Sequence, residues 1–334
     1  MKTFIFKTEF KTFLISLILI FFLSSCNVKP GEMPSSSGKT CEILVVIEKS
    51  LMEGNVGDTL RSFFMQEQVG LNQSEPLFTL PYIPYSSFEN TAMFQTHRNI
   101  VVVNINDSCK TKMEILKNFK SKPQLVFNIN APNKTEFFKI FSEKKEIILG
   151  AFNDLERTRI NAAFKANESH EVNTNVTKTF DFKMIFPSEF IISKKTKDFA
   201  WIRLEAKDYS QGILIYTFPY LNKSDLDQKH IISIRDSLTK QWIPGPTDGS
   251  YMTTEKRFPI LSKEINFNGI YALETRGLWK LENDFMGGPF INYAFVDQKK
   301  NRIIMIDGYL YSPKKSKRDL LKQIEAIIYT YKSL

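Results

Sequence analysis

Phe180-Asp181-Phe182-Lys183-Met184-Ile185-Phe186-Pro187 sets apolar side chains at positions 180, 182, 184 and 186 and ends at a proline. A two-residue period is the pattern of a strand with one buried face. Phe190–Ser193, Phe199–Ala206 and Gly212–Phe218 follow at short intervals, which predicts antiparallel hairpins. Ser224–Trp242 then changes to helical spacing through Leu226, His230, Ile231, Ile234 and Leu238, and Pro244-Gly245-Pro246 stops it. Strands resume at Tyr251–Thr254, Ile260–Phe267, Ile270–Trp279, Phe290–Asp297 and Arg302–Tyr311. A last helix over Lys317–Lys332 opens with Ser316 and Asp319 in a spacing like a capping box, and buries Leu320, Ile324, Ile327 and Tyr331. Many strands bracketed by helices make residues 180–334 an α+β domain with a mainly antiparallel sheet and flanking helices.

The first half, residues 42–170, mixes the two element types. Glu42–Glu48, Asn99–Asn106 and Gln124–Asn130 are apolar, β-branched runs that predict buried strands. Asp58–Gln68 and Ser86–Gln95 predict helices, as does Lys112–Lys120, while Pro76, Pro81 and Pro84 hold residues 74–85 extended. Lys134–Glu168 carries a stripe of Phe137, Phe141, Phe152 and Phe164 at helical spacing, with Asn133 as N-cap and Gly150 as a break point. That stripe is core. Residues 169–179, rich in Asn and Thr, read as the linker between the halves. Arg98 and Glu75 are a candidate ion pair across the first half.

Upstream lies a different kind of segment. Lys2, Lys7 and Lys11 precede an apolar run from Phe13 to Leu23, and Leu23-Ser24-Ser25-Cys26 closes it. A basic start, a short apolar core and small residues make a secretory signal over 1–25, too short for a membrane span. Leu-Ser-Ser-Cys resembles the lipobox of bacterial lipoproteins. The resemblance implies cleavage before Cys26 and lipid attachment to its sulfur. Residues 26–41 then form a Pro-, Gly- and Ser-rich tether.

Cleavage would leave 309 residues, enough for two medium domains with their own cores. The whole chain carries a formal charge of +9, and the surplus is spread along it rather than gathered beside aromatics, which argues against a nucleic-acid partner. His97, His170 and His230 are isolated and no Cys-x-x-Cys occurs, so no metal site and no cofactor is expected. Cys41 and Cys109 are a possible disulfide: antiparallel pairing of the strands beside them would bring them together, and parallel pairing would separate them by about 20 Å.

Several strings are specific. The Pro-Ser-Ser-Ser-Gly tether, Glu75-Pro76-Leu77-Phe78, Tyr271-Ala272-Leu273-Glu274-Thr275-Arg276-Gly277-Leu278-Trp279, Asn283-Asp284-Phe285-Met286-Gly287-Gly288-Pro289-Phe290 and Lys317-Arg318-Asp319 together resemble a family of uncharacterised lipoproteins from Bacteroidota, domain-of-unknown-function family 4837. The resemblance spans the mature chain and implies a cell-envelope compartment without an assigned activity. The order of elements after residue 180 also looks like the PsbP/Mog1-type α/β/α sandwich. Residues 27–31 lack the acidic cluster that in this phylum resembles a surface-export signal, which points to the periplasmic face of the outer membrane.

Arg276, Trp279, Asp284, Phe285 and Met286 are the candidate binding residues, gathered beside a Gly-Gly-Pro turn that could line a cleft or could simply be a tight hairpin. Asp284, Asp297 and Asp307 are the carboxylates that acid–base chemistry would need to bring close together. No nucleophile elbow and no phosphate-binding glycine loop is present. The expectation is a lipid-anchored, non-catalytic binding or scaffolding module whose partner is an envelope protein, a glycan or a lipid. The alternative is an envelope hydrolase with a carboxylate site in its second half.

Overall fold

The computed structural model describes residues 33–334, so the signal segment and Cys26 lie outside the described residues. Its first half is built on five strands: β1 (Leu44–Val46), β2 (Tyr82–Ile83), β3 (Asn99–Ile105), β4 (Lys112–Lys117) and β5 (Leu125–Ala131). They lie in the order β2-β1-β3-β5-β4, parallel except for β4. Parallel strands buried on both faces need near-continuous apolar runs, and Leu44–Val46 and Ile100–Val103 are such runs. The short helices α1 (Lys49–Met52), α2 (Asn55–Phe64), α3 (Tyr85–Asn90) and α4 (Ala92–Gln95) fill the crossovers. The helix α5 (Lys134–Ala166) lays Phe137, Phe141, Ile148 and Phe152 on one sheet face, against Phe64, Phe78 and Phe127.

Several local expectations change. Of the stretch Phe180–Phe186 only Phe182–Lys183 is strand, and Phe180 ends a helix, although all four alternate side chains are buried as expected. Lys112–Lys117 is strand β4 and not a helix. Met113 and Ile115 stand two apart, and a lysine at each end suits an exposed edge. The long helix runs unbroken through Gly150, whose missing side chain would meet nothing within 4 Å. Residues 169–179 are no linker: α6 (His170–Phe180) starts on the Ser169 cap and ends at Asp181 in the left-handed region. Its polar residues conceal Val172, Val176 and Phe180, one face at four-residue spacing, which is buried in the second core. The expected tether is also shorter, because Ser37 exchanges backbone hydrogen bonds with Thr96 and Arg98, and Lys122 donates to the Pro34 carbonyl.

The second half folds as one antiparallel sheet. Its strands are β7 (Ile191–Lys195), β8 (Phe199–Glu205), β9 (Ser210–Pro219), β10 (Tyr251–Thr254), β11 (Leu261–Phe267), β12 (Ile270–Glu282), β13 (Gly287–Asp297) and β14 (Arg302–Tyr311). They run β10-β12-β13-β14-β9-β8-β7, with β11 also paired to β12. The short strands β6 (Phe182–Lys183) and β15 (Lys332–Ser333) pair separately. One helix, α7 (Gln228–Trp242), covers one face through Ile231 and Ile232. On the opposite face α8 (Arg318–Ile328) and α6 bury Leu321, Ile324 and Ile327 with Val176 and Phe180. The fold class is α+β, with helices on both faces of the antiparallel sheet.

β1 and β3 pair in parallel, so the residues before one and after the other lie at opposite ends of the first sheet. Cys41 and Cys109 are accordingly free thiols.

Candidate functional site

The site is built by the hairpin of β12 and β13. The turn itself is made at Asn283, which takes a positive φ of 62°, and not at Gly-Gly-Pro, which already belongs to β13. Asp284 fastens this turn. One of its carboxylate oxygens accepts from Thr247 Oγ1 at 2.6 Å, the other from the Phe285 backbone at 2.6 Å, and these two bonds hold its pKa below the usual range. Phe285 stands fully exposed at the tip.

The two glycines make room for Trp279. A Cβ on Gly288 would lie 2.1 Å from the Leu310 carbonyl oxygen and 3.2 Å from the Trp279 ring nitrogen. Without it, the Trp279 indole N–H donates to that carbonyl at 3.2 Å and the ring is almost completely buried. Opposite, Tyr309 passes over Gly212, where a Cβ would sit 2.1 Å from its ring, and accepts from the Trp201 indole N–H at 2.8 Å. Tyr309 meets Trp279 edge-on with centroids 5.7 Å apart. Burial pushes the Tyr309 phenol well above its ordinary value.

Beside these rings lies a cleft of about 470 Å³. Trp201, Tyr309, Tyr311, Trp279, Leu281 and Met286 line it, together with the Pro244-Gly245-Pro246 stop of α7. Arg203, Glu205 and Ser210 stand along its β8–β9 side. A second, adjoining depression of about 740 Å³ shares Trp279, Leu281 and Met286 with the first and includes Asp284 and Phe285. Four of the five candidate residues are therefore together, Trp279, Asp284, Phe285 and Met286.

Arg276 is not with them. It is three residues from Trp279 on one strand, so the two side chains point to opposite faces. Its Nε donates to Glu274 at 2.9 Å and its Nη2 to Glu325 of α8 at 3.0 Å. Arg157 of α5 and Lys322 reach the same Glu325 at 2.8 and 3.3 Å. Burial alone would raise the Glu325 pKa; Lys322, Arg276 and Arg157 overcome it and hold the carboxyl well below its ordinary value. This buried network joins the two halves of the chain and is structural.

The carboxylates proposed for acid–base chemistry do not converge. Asp307 is fully buried with Arg235 at 2.8 Å, and that guanidinium lies 3.9 Å from the Phe290 ring centroid. Asp297 pairs with Arg302 at 2.9 Å, and Asp284 is spent on the turn. Arg98 pairs with Glu156 at 3.1 Å instead of Glu75. Among the described residues, no group of three His, Cys, Asp or Glu is placed to hold a metal, and no helix is long and apolar enough to cross a membrane.

Trp201, Arg203, Tyr309 and Tyr311 were missed from sequence. Each pair sits two apart on its strand, a same-face spacing that is a usable signal. Nothing in the spacing says that β8 and β14 lie one strand apart, across β9.

The second half thus has an α+β architecture with an aromatic cleft beside its longest hairpin. Residues 169–330 match a family described as "Domain of unknown function (DUF4837)". Residues 36–165 match a separate family, "Domain of unknown function (DUF8532)", so the expected likeness to the first family across the mature chain is confined to the second half. No curated protein matches. Among solved structures, a point mutant of Protein Mog1 matches at 10% identity, covering 46% of this chain and 90% of that chain, with a TM-score of 0.29.

Proposed function

We propose that this chain is a lipid-anchored cell-envelope protein that binds an apolar ligand in the Trp279 cleft and catalyses nothing. The observation that carries the binding half is the cleft itself: its lining is mostly apolar and aromatic, and its indole N–H groups are already satisfied. The volume falls in the range of ligand pockets, roughly 300–1,000 Å³. The anchor reading rests on Leu23-Ser24-Ser25-Cys26, and the periplasmic face of the outer membrane on the residues after it. The hydrolase alternative loses support because Asp284, Asp297 and Asp307 each serve a separate partner. A division into two domains, 42–170 and 180–334, is part of the proposal. Two family matches that meet between residues 165 and 169 support it, as do the two separate sheets.

Two measurements test this reading. Cys26→Ser should move the protein from membranes to the soluble fraction, and retention after a carbonate wash would end the anchor claim. Nile red, an uncharged apolar dye, should brighten on binding the intact protein and fail to do so with Met286→Asp. A Leu221→Asp control alters an exposed leucine elsewhere and should bind normally. Equal dye binding by Met286→Asp and the unaltered protein would end the cleft claim.

A further inference from the structure

Resting on the cleft reading above, we infer that the ligand is a single-chain amphiphile with an anionic head, held at the head by Arg203 and along the chain by Trp279 and Met286. Arg203 stands two residues from Trp201 on β8 and shares its face. Its guanidinium lies 4.7 Å from the Trp201 ring centroid, so the ring fixes where the charge sits. Glu205 is its ion-pair partner at 3.3 Å, but that side chain is 54% exposed, and exposed pairs of this kind are weak and easily exchanged. Arg203 makes no side-chain hydrogen bond among the described residues, and its Nε is buried without an acceptor. A guanidinium is a rigid fork of five donors, matched by a carboxylate or a phosphate that takes two at once.

The cleft also excludes much. Besides Arg203, the polar lining residues Glu205, Ser210 and Tyr311 share one cross-strand row, and the rest of the lining is mostly apolar, with Trp279, Leu281, Met286, Met252 and Ile243. The Trp201 N–H is taken by Tyr309, and the Trp279 N–H by the Leu310 carbonyl. A sugar could pair its hydroxyls only along the Arg203, Glu205, Ser210 and Tyr311 side and would leave the others unpaired against the apolar lining, which costs free energy that a hydrocarbon chain does not incur. An oxyanion at one end and an apolar body behind it define an anionic lipid, whether a fatty acid or a lipid phosphate.

Displacement of Nile red tests this, with palmitate, hexadecyl phosphate and hexadecanol below their micelle concentrations, on the intact protein. Palmitate or hexadecyl phosphate should displace the dye, and the better of the two identifies the head. Arg203→Gln, which keeps a flat polar group over Trp201, should weaken the charged ligands about tenfold and leave hexadecanol unchanged. Hexadecanol binding as well as both charged ligands, or Arg203→Gln acting on all three alike, would overturn the role of Arg203. Dye that binds the cleft and yields to none of the three would overturn the amphiphile while leaving the cleft reading intact. Failure of the cleft reading would show separately, as dye binding indifferent to Met286→Asp.

Discussion

Glu75 caps a helix that begins 243 positions later: one carboxylate oxygen accepts the Lys317 backbone N–H at 2.7 Å and the other accepts that of Arg318 at 3.0 Å. The first turn of any helix leaves N–H groups without partners, and a carboxylate there also meets the positive end of the helix dipole. At the start of α8 no local side chain does this. The Pro-bounded segment after α2 supplies the cap instead, helped by Gln73, which accepts from Lys317 Nζ at 2.7 Å, and by the Pro76 carbonyl, which accepts from Arg318 at 3.0 Å.

Glu75→Ala should therefore destabilise the second half as well as the first, by about 0.5–2 kcal/mol, the usual cost of a lost N-cap. Urea unfolding measures the size. Amide exchange should quicken in the first turn of α8, and unchanged exchange there would show that the cap contributes nothing.

The Glu325 network sets an acid limit. Burial opposes the charged form of both Glu325 and Glu274, and the surrounding cations win, leaving both carboxyls below their ordinary value of 4.5 in the folded protein. A depressed carboxylate adds stability that is complete above its unfolded pKa and is lost as pH falls through the folded one. Stability should be flat from pH 7 to about 5 and fall steadily below about 4.5. Glu325→Gln leaves Arg157, Arg276 and Lys322 without their shared anion, costs about 3–5 kcal/mol at neutral pH, and should flatten the acid slope. An unaltered slope in that variant would place the acid sensitivity elsewhere.

Two glycines should respond with opposite signs. Gly288→Ala drives a methyl into the Leu310 carbonyl beside Trp279, which predicts a loss of about 1–3 kcal/mol and a shift in tryptophan emission. Gly150→Ala meets open space in the middle of α5 and should stabilise by up to about 1 kcal/mol. Thermal unfolding of both variants checks the contrast, and a neutral Gly288→Ala would mean the cleft wall yields easily.

The cysteines make a chemical prediction. Burial pushes the Cys41 thiol up to about 12, while Cys109 is only half-buried. In native protein an alkylating reagent should modify Cys109 and spare Cys41, and in unfolded protein it should modify both without reductant. Protection of both until reductant is added would reveal a disulfide.

Periods and punctuation carried a good share of this fold. The all-apolar runs at β1 and β3 and the Asn133 cap are local properties, legible because each depends on a few neighbouring residues; the alternation at Phe180–Phe186 marked four buried side chains, although only Phe182–Lys183 is strand and Phe180 ends α6. The α+β class follows from them. Misreadings came where local signals were thin: β4 has only Met113 and Ile115 to mark its face, and α6 hides three apolar residues among eight polar or charged ones. Even the separation of Arg276 from Trp279 was open to view, since an odd spacing on a strand divides the faces. What only the tertiary structure decided is which distant residues meet. Trp201 finds Tyr309 because β9 lies between their strands, Arg235 finds Asp307 because α7 crosses β14, and Glu75 reaches Lys317 across most of the chain. Strand order and helix docking are settled by the burial of whole faces, a sum over many residues at once, and no single stretch of the chain encodes it.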